Sequence, residues 1–484
     1  MKRILRWSVL LVIGMVMFVF TGRDTADASV YYNASDGSQP KDFSIVKKDG
    51  LWYNIGIHQI PGAGPPGPIT EGLVLSTSRD LAHWQDVGVA VPVGAPGSWD
   101  SYDVWAPSII LVDTTYHIYY AGVQLVGNVL VQKIGHATST DLITWTKDPN
   151  PVYDCSTATW QYWNLSDPWG AGTDCRDPFV VRDEPNNRWV MFFNGRSKDP
   201  VHDAINPAVY WHPNPAVVGM ATSTDLVTWT DAGFLTATAG YKSESPHAFA
   251  HNGTWYLAWT NDCTETVNGA YARLATTNCI KYATASTLTG PYGAFVNFPG
   301  VETYTFASEV FTDGQLELFG RTSGGAIFFD QLVWTNDTPG IGPIPFGTII
   351  GNVWLDANRN GQVDINEQGI DGARLEAYLD DGDGLFDENV DLRLGVSVSF
   401  YNSTLTTLKH GTYRFQTLLI GGLVWVRPMA SNFTTGALAE YVTTTGALLT
   451  QHNIAGTPTT TGKTYGFQTA DTFAPSGVLD LRAL

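Results

Sequence analysis

Short segments in which apolar and aromatic residues alternate with polar ones recur along the larger, N-terminal part of the chain. Alternation over four to eight residues, rich in β-branched and aromatic side chains, predicts half-buried β-strands. The clearest examples are Leu51-Trp-Tyr-Asn-Ile, Thr115-Tyr-His-Ile-Tyr-Tyr, Arg188-Trp-Val-Met-Phe-Phe and Thr254-Trp-Tyr-Leu-Ala-Trp, with a weaker set at Leu316-Glu-Leu-Phe and Ile327-Phe-Phe-Asp. The pattern predicts an all-β chain.

A nine-residue motif recurs between these strands. Ser76-Thr-Ser-Arg-Asp-Leu-Ala-His-Trp84 returns as Ala137-Thr-Ser-Thr-Asp-Leu-Ile-Thr-Trp145 and Ala221-Thr-Ser-Thr-Asp-Leu-Val-Thr-Trp229, with a degenerate copy at Tyr282. A repeat of about 50–60 residues with several short antiparallel strands is typical of a propeller blade, which buries its faces only against neighbouring blades. We therefore expect five blades between about residue 40 and residue 337. In each motif the aspartate (Asp80, Asp141, Asp225) is expected to cap a turn, and the tryptophan to pack between blades.

The N-terminus has the features of an export signal. Lys2, Arg3 and Arg6 precede the apolar run 7–20, and Ala26-Asp27-Ala28 supplies a cleavage site with small residues. The run is shorter than the roughly 20 residues that a membrane span needs. We predict a signal peptide over residues 1–28, a secreted protein with no membrane segment after cleavage, and a propeller domain over 29–337; the alternative is an uncleaved N-terminal anchor.

Composition narrows the partners. The net charge of −19 argues against nucleic acid and other polyanions. The four cysteines, Cys155, Cys175, Cys263 and Cys279, allow three connectivities, of which pairing between sequence neighbours is the simplest.

A second domain follows a Pro- and Gly-rich segment that predicts a linker over residues 338–346. Alternating runs such as Gly411-Thr-Tyr-Arg-Phe-Gln predict a small β-sandwich, with a C-terminal tail, over 347–484. Its first loop has oxygen-bearing side chains and a Gly at the spacing of an EF-hand loop, which suits Ca²⁺. The predicted ligands are Asp356, Asn358, Asn360, Gln362, Asp364 and Glu367. A second acidic run, 380–388, is either another ion site or a solvated turn.

Candidate chemistry lies on the propeller. Asp42, Asp177 and Glu244 each fall on the predicted first strand of a blade, and first strands line the central channel of a propeller. Glycoside hydrolysis needs one carboxylic acid at the leaving oxygen and a second carboxylate as base or nucleophile. A third carboxylate nearby can hold the acid protonated. No Gly-x-Ser-x-Gly, phosphate-binding Gly loop or His-Glu-x-x-His is present, and no organic cofactor is expected.

These motifs resemble glycoside hydrolase families 43 and 32. Arg176-Asp-Pro is similar to the Arg-Asp-Pro element of family 32 and to the Asp-Pro of family 43. Glu244-Ser-Pro-His and Asp103-Val-Trp-Ala-Pro107 are similar to elements of family 43. The resemblance implies that Asp42 is the base or nucleophile, that Asp177 orients the substrate and modulates the acid, and that Glu244 is the general acid. It also implies sugar contacts at Trp105, His247 and Arg321, for which core packing of Trp105 and a surface ion pair of Arg321 are the alternatives. The sequence departs from family 43 in having Asp-Phe-Ser at residue 42 and Ser245 in place of the usual glycine.

The C-terminal segment resembles the B domains of serine-aspartate-repeat surface proteins, through Gly351-Asn-Val-Trp-Leu-Asp-Ala-Asn and Gly466-Phe. That resemblance implies an immunoglobulin- or transthyretin-like sandwich that serves as a calcium-stiffened spacer, and it raises the prospect of association with a cell surface.

Two functions are consistent with these observations. One is a secreted glycoside hydrolase, inverting by the balance of its motifs, that acts on polysaccharides containing furanosides or xylosides, such as arabinan, arabinoxylan or fructan. The other is a non-catalytic carbohydrate-binding or adhesive surface protein on the same scaffold. Carboxylates that converge on an open pocket favour the enzyme, and carboxylates that point apart favour the binding protein.

Overall fold

The computed structural model describes residues 30–60, 68–82, 84–167, 172–199, 214–240, 242–263, 278–313, 316–344, 346–358, 364, 366–401, 410–418, 423–434, 436–438, 441–443, 450–453, 459–461 and 465–469. Regular structure in these ranges consists of β-strands and three short 3-10 helices, Cys155–Thr157, Glu184–Asn186 and Ala430–Phe433. The all-β prediction is therefore confirmed. Within the same ranges, no helix has the length and apolarity needed to cross a bilayer. The predicted signal peptide lies outside the described residues.

The N-terminal part forms five antiparallel sheets. It begins with β1 (Val30–Tyr32). Blade 1 contains β2 (Gln39–Lys48), β3 (Leu51–Gln59), β4 (Gly72–Ser78) and β5 (Trp84–Pro92). Blade 2 contains β6 (Asp103–Val112), β7 (Thr115–Val126), β8 (Val129–Ser139) and β9 (Thr146–Lys147). Blade 3 contains β10 (Arg176–Asp183), β11 (Arg188–Arg196), β12 (Ala216–Ser223) and β13 (Thr230–Gly240). Blade 4 contains β14 (Glu244–His251), β15 (Thr254–Asp262), β16 (Asn278–Ala285) and β17 (Val296–Asn297). Blade 5 contains β18 (Thr305–Thr312), β19 (Glu317–Ser323), β20 (Ala326–Thr335) and β21 (Thr338–Gly342).

The five sheets close into a ring. Their first strands, β2, β6, β10, β14 and β18, contact one another in that order, and β18 contacts β2. Apolar clusters fill the spaces between sheets; one of them joins Ile55 and Leu75 of blade 1 to Ile118 of blade 2. The predicted five-bladed propeller is confirmed.

Blade 5 is completed from both ends of the domain. β1 pairs with one half of β20, with Val30 opposite Phe329, and β21 pairs with the other half, with Thr338 opposite Thr335. The sequence instead predicts blades from about residue 40 and an irregular linker over 338–346. The difference arises because both short segments become strands only through pairing with β20, which the local pattern does not reveal.

The repeated motif forms the same outer turn in three blades. In blade 2, the carboxylate of Asp141 accepts the N–H groups of Ile143 and Thr144, both at 2.8 Å. Leu142 adopts a positive φ of 67° and is fully buried, and its carbonyl accepts Trp145 Nε1 at 3.1 Å. The corresponding residues are Asp225, Leu226 and Trp229 in blade 3, and Asp80, Leu81 and Trp84 in blade 1.

The tryptophans of these turns pack against the preceding blade. Trp229 meets the ring of Tyr119 in blade 2 edge-on, with ring centroids 5.7 Å apart. Trp84 stacks on Phe329 of blade 5 with centroids 5.6 Å apart. The turn motif therefore has the structural role that the repeat predicts.

The predicted cysteine pairing is also confirmed. Cys155 is bonded to Cys175, directly before the inner strand of blade 3, and Cys263 is bonded to Cys279 in blade 4. In the described ranges no cysteine is free.

The C-terminal part forms two sheets around a separate core. One sheet contains β22 (Phe346–Leu355), β23 (Gln368–Gly369), β26 (Thr412–Leu418), β28 (Tyr441–Thr443), β30 (Thr459–Thr461) and β31 (Tyr465–Thr469). The other contains β24 (Arg374–Leu379), β25 (Leu392–Val398), β27 (Leu423–Pro428) and β29 (Thr450–Asn453). Ile349, Tyr413 and Val424 share one apolar cluster, which joins the two sheets. The immunoglobulin- or transthyretin-like assignment of this part stays a prediction.

Candidate active site

Each of the five inner strands is interrupted by a bulge at the same level of the ring. The interruptions lie between Pro40 and Phe43, Trp105 and Ser108, Arg176 and Phe179, Glu244 and His247, and Thr305 and Ser308. A bulge leaves residues out of the hydrogen-bond ladder and redirects their side chains. In blades 2, 3 and 4 the second bulge residue is proline, which has no N–H to donate to the ladder.

The residue before each of these prolines has a positive φ. The angles are 45° at Ala106, 56° at Asp177 and 48° at Ser245. Such angles are uncommon for residues other than glycine and concentrate at functional sites. The bulges of blades 2, 3 and 4 thus contain locally strained backbone beside the channel.

The three predicted catalytic carboxylates meet at this ring. Asp42 from blade 1, Asp177 from blade 3 and Glu244 from blade 4 line one pocket of about 590 Å³, which we call the upper pocket. Its other lining residues are Lys41, Ile57, Ile69, Trp105, Arg176, Ser245 and Phe306. A second space, which we call the lower cavity, shares Asp42, Asp177 and Ser245 with it and is also lined by His247 and Glu309.

Ser245 connects two of the carboxylates. Its backbone N–H donates to Asp177 Oδ2 at 2.9 Å, and its hydroxyl donates to Asp42 Oδ1, also at 2.9 Å. One residue of blade 4 therefore holds carboxylates that belong to blades 3 and 1.

Glu244 lies among cations. Arg176 Nη2 donates to Glu244 Oε1 at 2.9 Å, and Lys242 Nζ lies 3.6 Å from Oε2. Burial alone would raise the pKa of Glu244, but Lys242, Arg176 and Lys41 outweigh it and hold that pKa at about 2. Glu244 is therefore ionised in the unliganded site.

Asp177 and Asp42 respond in the opposite direction. Burial, reinforced by the nearby Asp42 and Glu244 and opposed by Arg176, raises the pKa of Asp177 to about 7. Burial also raises the pKa of Asp42, while Lys41 and the Ser245 hydroxyl favour its charged form. The site thus holds carboxylates whose proton affinities are pushed apart, which is typical of acid–base chemistry.

A buried ion network fixes Arg176. Asp174 Oδ1 accepts Arg176 Nη1 at 2.6 Å, while Asp174 Oδ2 accepts Arg196 Nη2 at 2.6 Å. Asp174 and Arg196 are almost fully buried, so their geometry is set by the fold rather than by solvent. Arg176 is in this way presented to the pocket in one orientation.

The structure treats the three predicted sugar contacts differently. Trp105 lines the upper pocket. His247 lies in the lower cavity, where its ring stacks on Phe249 and burial lowers its pKa to about 3. Arg321 does not line either cavity: it is buried, donates from Nε to Glu302 Oε2 at 2.9 Å, and pairs with Asp330. The alternative of an ion pair therefore describes Arg321, although this pair is buried rather than on the surface.

Several charged groups at the site were not predicted from the sequence. The cations Arg176, Lys41 and Lys242 could have been predicted, because each lies within two positions of a predicted catalytic carboxylate. Glu309 of blade 5 lines the lower cavity; burial raises its pKa to about 8, against a hydrogen bond from Ser44 Oγ at 3.2 Å. Its strand follows the weakest part of the repeat, which gave no signal.

The predicted calcium loop is partly described. Asp356, Asn358, Asp364 and Glu367 lie in the described ranges, whereas Asn360 and Gln362 lie outside them. The Glu367 carboxylate accepts Ala357 N–H at 2.9 Å, Asp364 N–H at 3.0 Å and Trp354 Nε1 at 2.9 Å, so it ties the two described ends of the loop together. Its charges and oxygen donors fit Ca²⁺ in chemistry.

Two carboxylates of the second acidic run, those of Asp380 and Asp381, lie close to the carboxylate of Asp391 just after it. Among the described residues, oxygens of Asp380, Asp381 and Asp391 lie within 4.8 Å of one another. No such trio forms within the described part of the predicted loop.

Comparison with known proteins gives one family. Residues 39–329 match the family described as glycosyl hydrolases family 43. A levanase from Bacillus sp. (strain L7) is 32% identical over 199 residues, a match that spans 37% of this chain and only 17% of the levanase.

Solved structures resemble the chain more distantly. The inulosucrase of Halalkalicoccus jeotgali bound to kestose has a TM-score of 0.48 and 15% identity, and the match covers 64% of this chain and 90% of that one. An exo-1,5-α-L-arabinanase from a bovine ruminal metagenomic library has a TM-score of 0.42 and 17% identity, with 63% and 96% covered.

Proposed function

The chain belongs to glycosyl hydrolase family 43, and on that premise we propose that it is an exported glycoside hydrolase acting on polysaccharides that contain furanosides or xylosides. The observation that carries the proposal is the convergence of Asp42, Asp177 and Glu244, from three different blades, on one open pocket. Sequence distance alone would scatter these side chains, and only the closed ring brings them together.

The proposed chemistry uses two of the carboxylates directly. Glu244, once protonated, gives its proton to the glycosidic oxygen as the bond from that oxygen to the anomeric carbon breaks. Asp42 removes a proton from the water that attacks the anomeric carbon. Asp177 accepts the Ser245 N–H and holds the bulge that separates acid from base.

Glu244 must gain a proton before it can act, because its ion pair with Arg176 keeps it charged in the unliganded site. A bound sugar displaces water from the pocket, which favours the neutral form of a carboxyl. Sugar hydroxyls also compete with Glu244 for the Arg176 donors. We propose that substrate binding in this way converts Glu244 into the acid.

The proposed stereochemical outcome is inversion, which follows from the balance of motifs toward family 43. The first anomer released, followed by NMR during the earliest turnover, tests this point. Release of the anomer with retained configuration contradicts it and makes Asp42 a nucleophile.

Substrate class rests on two observations. The first is the levanase relative, whose name directs attention to levan. The family assignment keeps arabinan and arabinoxylan in the set.

The deciding experiment measures sugar release by the purified protein from levan, inulin, arabinan, arabinoxylan and aryl furanosides, beside Glu244→Gln. General acid catalysis contributes about 10²–10⁴-fold, so kcat on the best substrate should fall by that factor in the variant. Asp225→Asn, in an exposed turn, is the matched control and should retain the parent rate. Equal release by parent and Glu244→Gln would exclude this site as the source of activity.

The low pKa of Glu244 is the observation that favours a second candidate, a carbohydrate-binding surface protein. A binding site has no need for a proton donor, and an Arg176–Glu244 pair can serve as a fixed hydrogen-bonding group. Saturable binding of one of these glycans without any release would select this function.

We also propose that the C-terminal domain binds Ca²⁺ through the 356–367 loop, with support from the approach of Glu367 to the start of that loop. Calcium at 100 times its Kd should raise the free energy of unfolding of the domain by about 2.7 kcal/mol. Glu367→Gln should remove this gain. A gain in stability that survives in Glu367→Gln and disappears in Asp391→Asn would indicate that Ca²⁺ binds instead at Asp380, Asp381 and Asp391.

Export is likewise a proposal. Both cysteine pairs form disulfides, which persist in oxidising compartments outside the cytosol. N-terminal sequencing of protein from the culture medium should start near Ser29. Recovery only from the membrane fraction would favour an uncleaved anchor.

A further inference from the structure

We propose that the hydroxyl of Ser245 is a positioning group for Asp42, and that this chain keeps serine at a strained backbone position for that purpose. The inference rests on the proposed function, because it assigns Asp42 the part of the base.

The Ser245 hydroxyl contacts Asp42 directly. Ser245 Oγ donates to Asp42 Oδ1 at 2.9 Å, across the channel from blade 4 to blade 1. One carboxylate oxygen of Asp42 is thereby held by a donor from another blade. A carboxylate with one fixed oxygen loses the rotation that would otherwise vary its angle to the anomeric carbon.

The backbone at Ser245 adopts a conformation that disfavours a side chain. Ser245 has a φ of 48°, a conformation in which glycine is favoured because it has no Cβ. A side chain retained against that preference is expected to contribute an interaction that glycine does not supply.

The equivalent bulge residue of blade 2 has no polar side chain. Ala106 in blade 2 occupies the equivalent bulge position, with a φ of 45° and a proline after it. It carries no polar group. The strained bulge is therefore a property of the scaffold, whereas its side chain differs between blades: Ala106 is apolar, Asp177 is a carboxylate, and Ser245 supplies the hydroxyl.

The electrostatic effect has the same direction. A hydrogen bond donated to the charged form of a carboxyl stabilises that form, and the Ser245 hydroxyl opposes the rise in the pKa of Asp42 that burial causes. The other titratable and charged groups around Asp42 come from every blade that faces it: Lys41, Arg176, Asp177, Glu244, His247 and Glu309. None of these changes when only the hydroxyl is removed.

The test is a set of variants in the full-length protein. Ser245→Gly should lower kcat by roughly ten- to a hundredfold, the range for a lost hydrogen bond to a charged group. It should also move the acid limb of kcat/KM to higher pH, because the base loses a donor that favours its charged form. Its Tm should equal or exceed that of the parent, since glycine relieves the positive φ.

Two further variants separate the hydroxyl from the backbone. Ser245→Ala should show the same kinetic loss without the gain in Tm, and Ser245→Thr, which keeps a hydroxyl, should recover part of the rate. Ala106→Gly supplies the stability gain expected from relief of strain alone. Parent kcat and an unmoved acid limb in Ser245→Gly overturn the proposal, and so does a fall in Tm that accounts for the lost activity.

A readout without turnover keeps the two proposals apart. The pKa of Asp42 is measured by NMR on protein with ¹³C-carboxyl-labelled aspartate, in the parent and in Ser245→Gly. A higher pKa in the variant supports the positioning contact even if the parent releases no sugar, an outcome that would defeat only the proposed function. An unchanged pKa defeats the positioning contact whatever the activity.

Discussion

The outer turns and the inner bulges of the propeller repeat in opposite ways. The outer turns repeat in sequence: Asp-Leu-x-x-Trp has the same hydrogen bonds in blades 2 and 3 and a close variant of them in blade 1. The inner bulges repeat in backbone, but their side chains diverge. Trp105, Arg176 and Glu244 occupy one equivalent position and have three unrelated chemistries.

This contrast teaches where to look for function in a repeat protein. A residue that recurs from copy to copy, such as the turn aspartate of blades 1, 2 and 3, serves the packing of each blade that contains it. A position where the backbone recurs and the residue does not is where the copies have specialised. If the two regions are independent, a change in an outer turn should alter stability without altering catalysis, and a change in an inner bulge should alter catalysis.

The largest expected effect is at the inner ring. Asp177→Asn should lower kcat/KM by about 10²-fold or more, because the carboxylate that holds the Ser245 N–H loses its charge and the bulge shifts relative to the substrate. Initial rates on the best substrate measure this loss.

The same variant should gain stability relative to the parent as the pH rises. The folded pKa of Asp177, about 7, lies above its ordinary value near 3.9, so its contribution to stability is present below about pH 4 and is lost as pH rises through 7. The amide of the Asp177→Asn variant does not titrate, so urea unfolding should show the variant gaining on the parent between about pH 4 and pH 7. A parallel pH dependence in both proteins would contradict the raised pKa.

Next in size is the loss of a tryptophan from an outer turn. Trp229→Ala removes a buried ring that packs on Tyr119, and the free energy of unfolding should fall by about 3–5 kcal/mol. The kcat of the folded fraction at low temperature should not change, because Trp229 lines neither cavity. Trp229→Phe, which keeps an aromatic ring and loses the Nε1 bond to Leu226, should cost about 1 kcal/mol. A change in kcat with Trp229→Ala would show that the two regions are coupled.

The smallest effect is expected at the cap of the same turn. Asp225→Ala deletes the acceptor for the Val227 and Thr228 N–H groups, and the loss of such a cap is worth about 1 kcal/mol. Thermal unfolding measures it, and Asp225→Asn, which retains an acceptor oxygen, should behave like the parent. Equal losses in both variants would attribute the effect to charge rather than to capping.

The sequence predicted most of the propeller because each blade carries its own local signal. Alternation identified the strands, and the turn motif set their period. β1 and β21 were not predicted because segments of three to five residues carry too little pattern, and because their pairing with β20 is a property of the closed ring.

At the site, the carboxylates were predictable and their environment was not. Asp42, Asp177 and Glu244 stood out as acidic residues on inner strands, but the pKa of each depends on neighbours from other blades. The role of Arg321 could not be predicted for the same reason. No sequence motif links Arg321 to its partners Glu302 and Asp330, and only the folded blade shows that they occupy its guanidinium.

Closure of blade 5 by β1 and β21 brings the two ends of the propeller together in one sheet. The residues that pair with β1 end at Phe329 in β20, so β1 has no partner strand until most of the propeller has been synthesised. Contacts between residues so far apart in sequence form slowly, since the entropy of closing the intervening loop must be overcome first. We therefore expect β1 to be the last strand of the ring to pair.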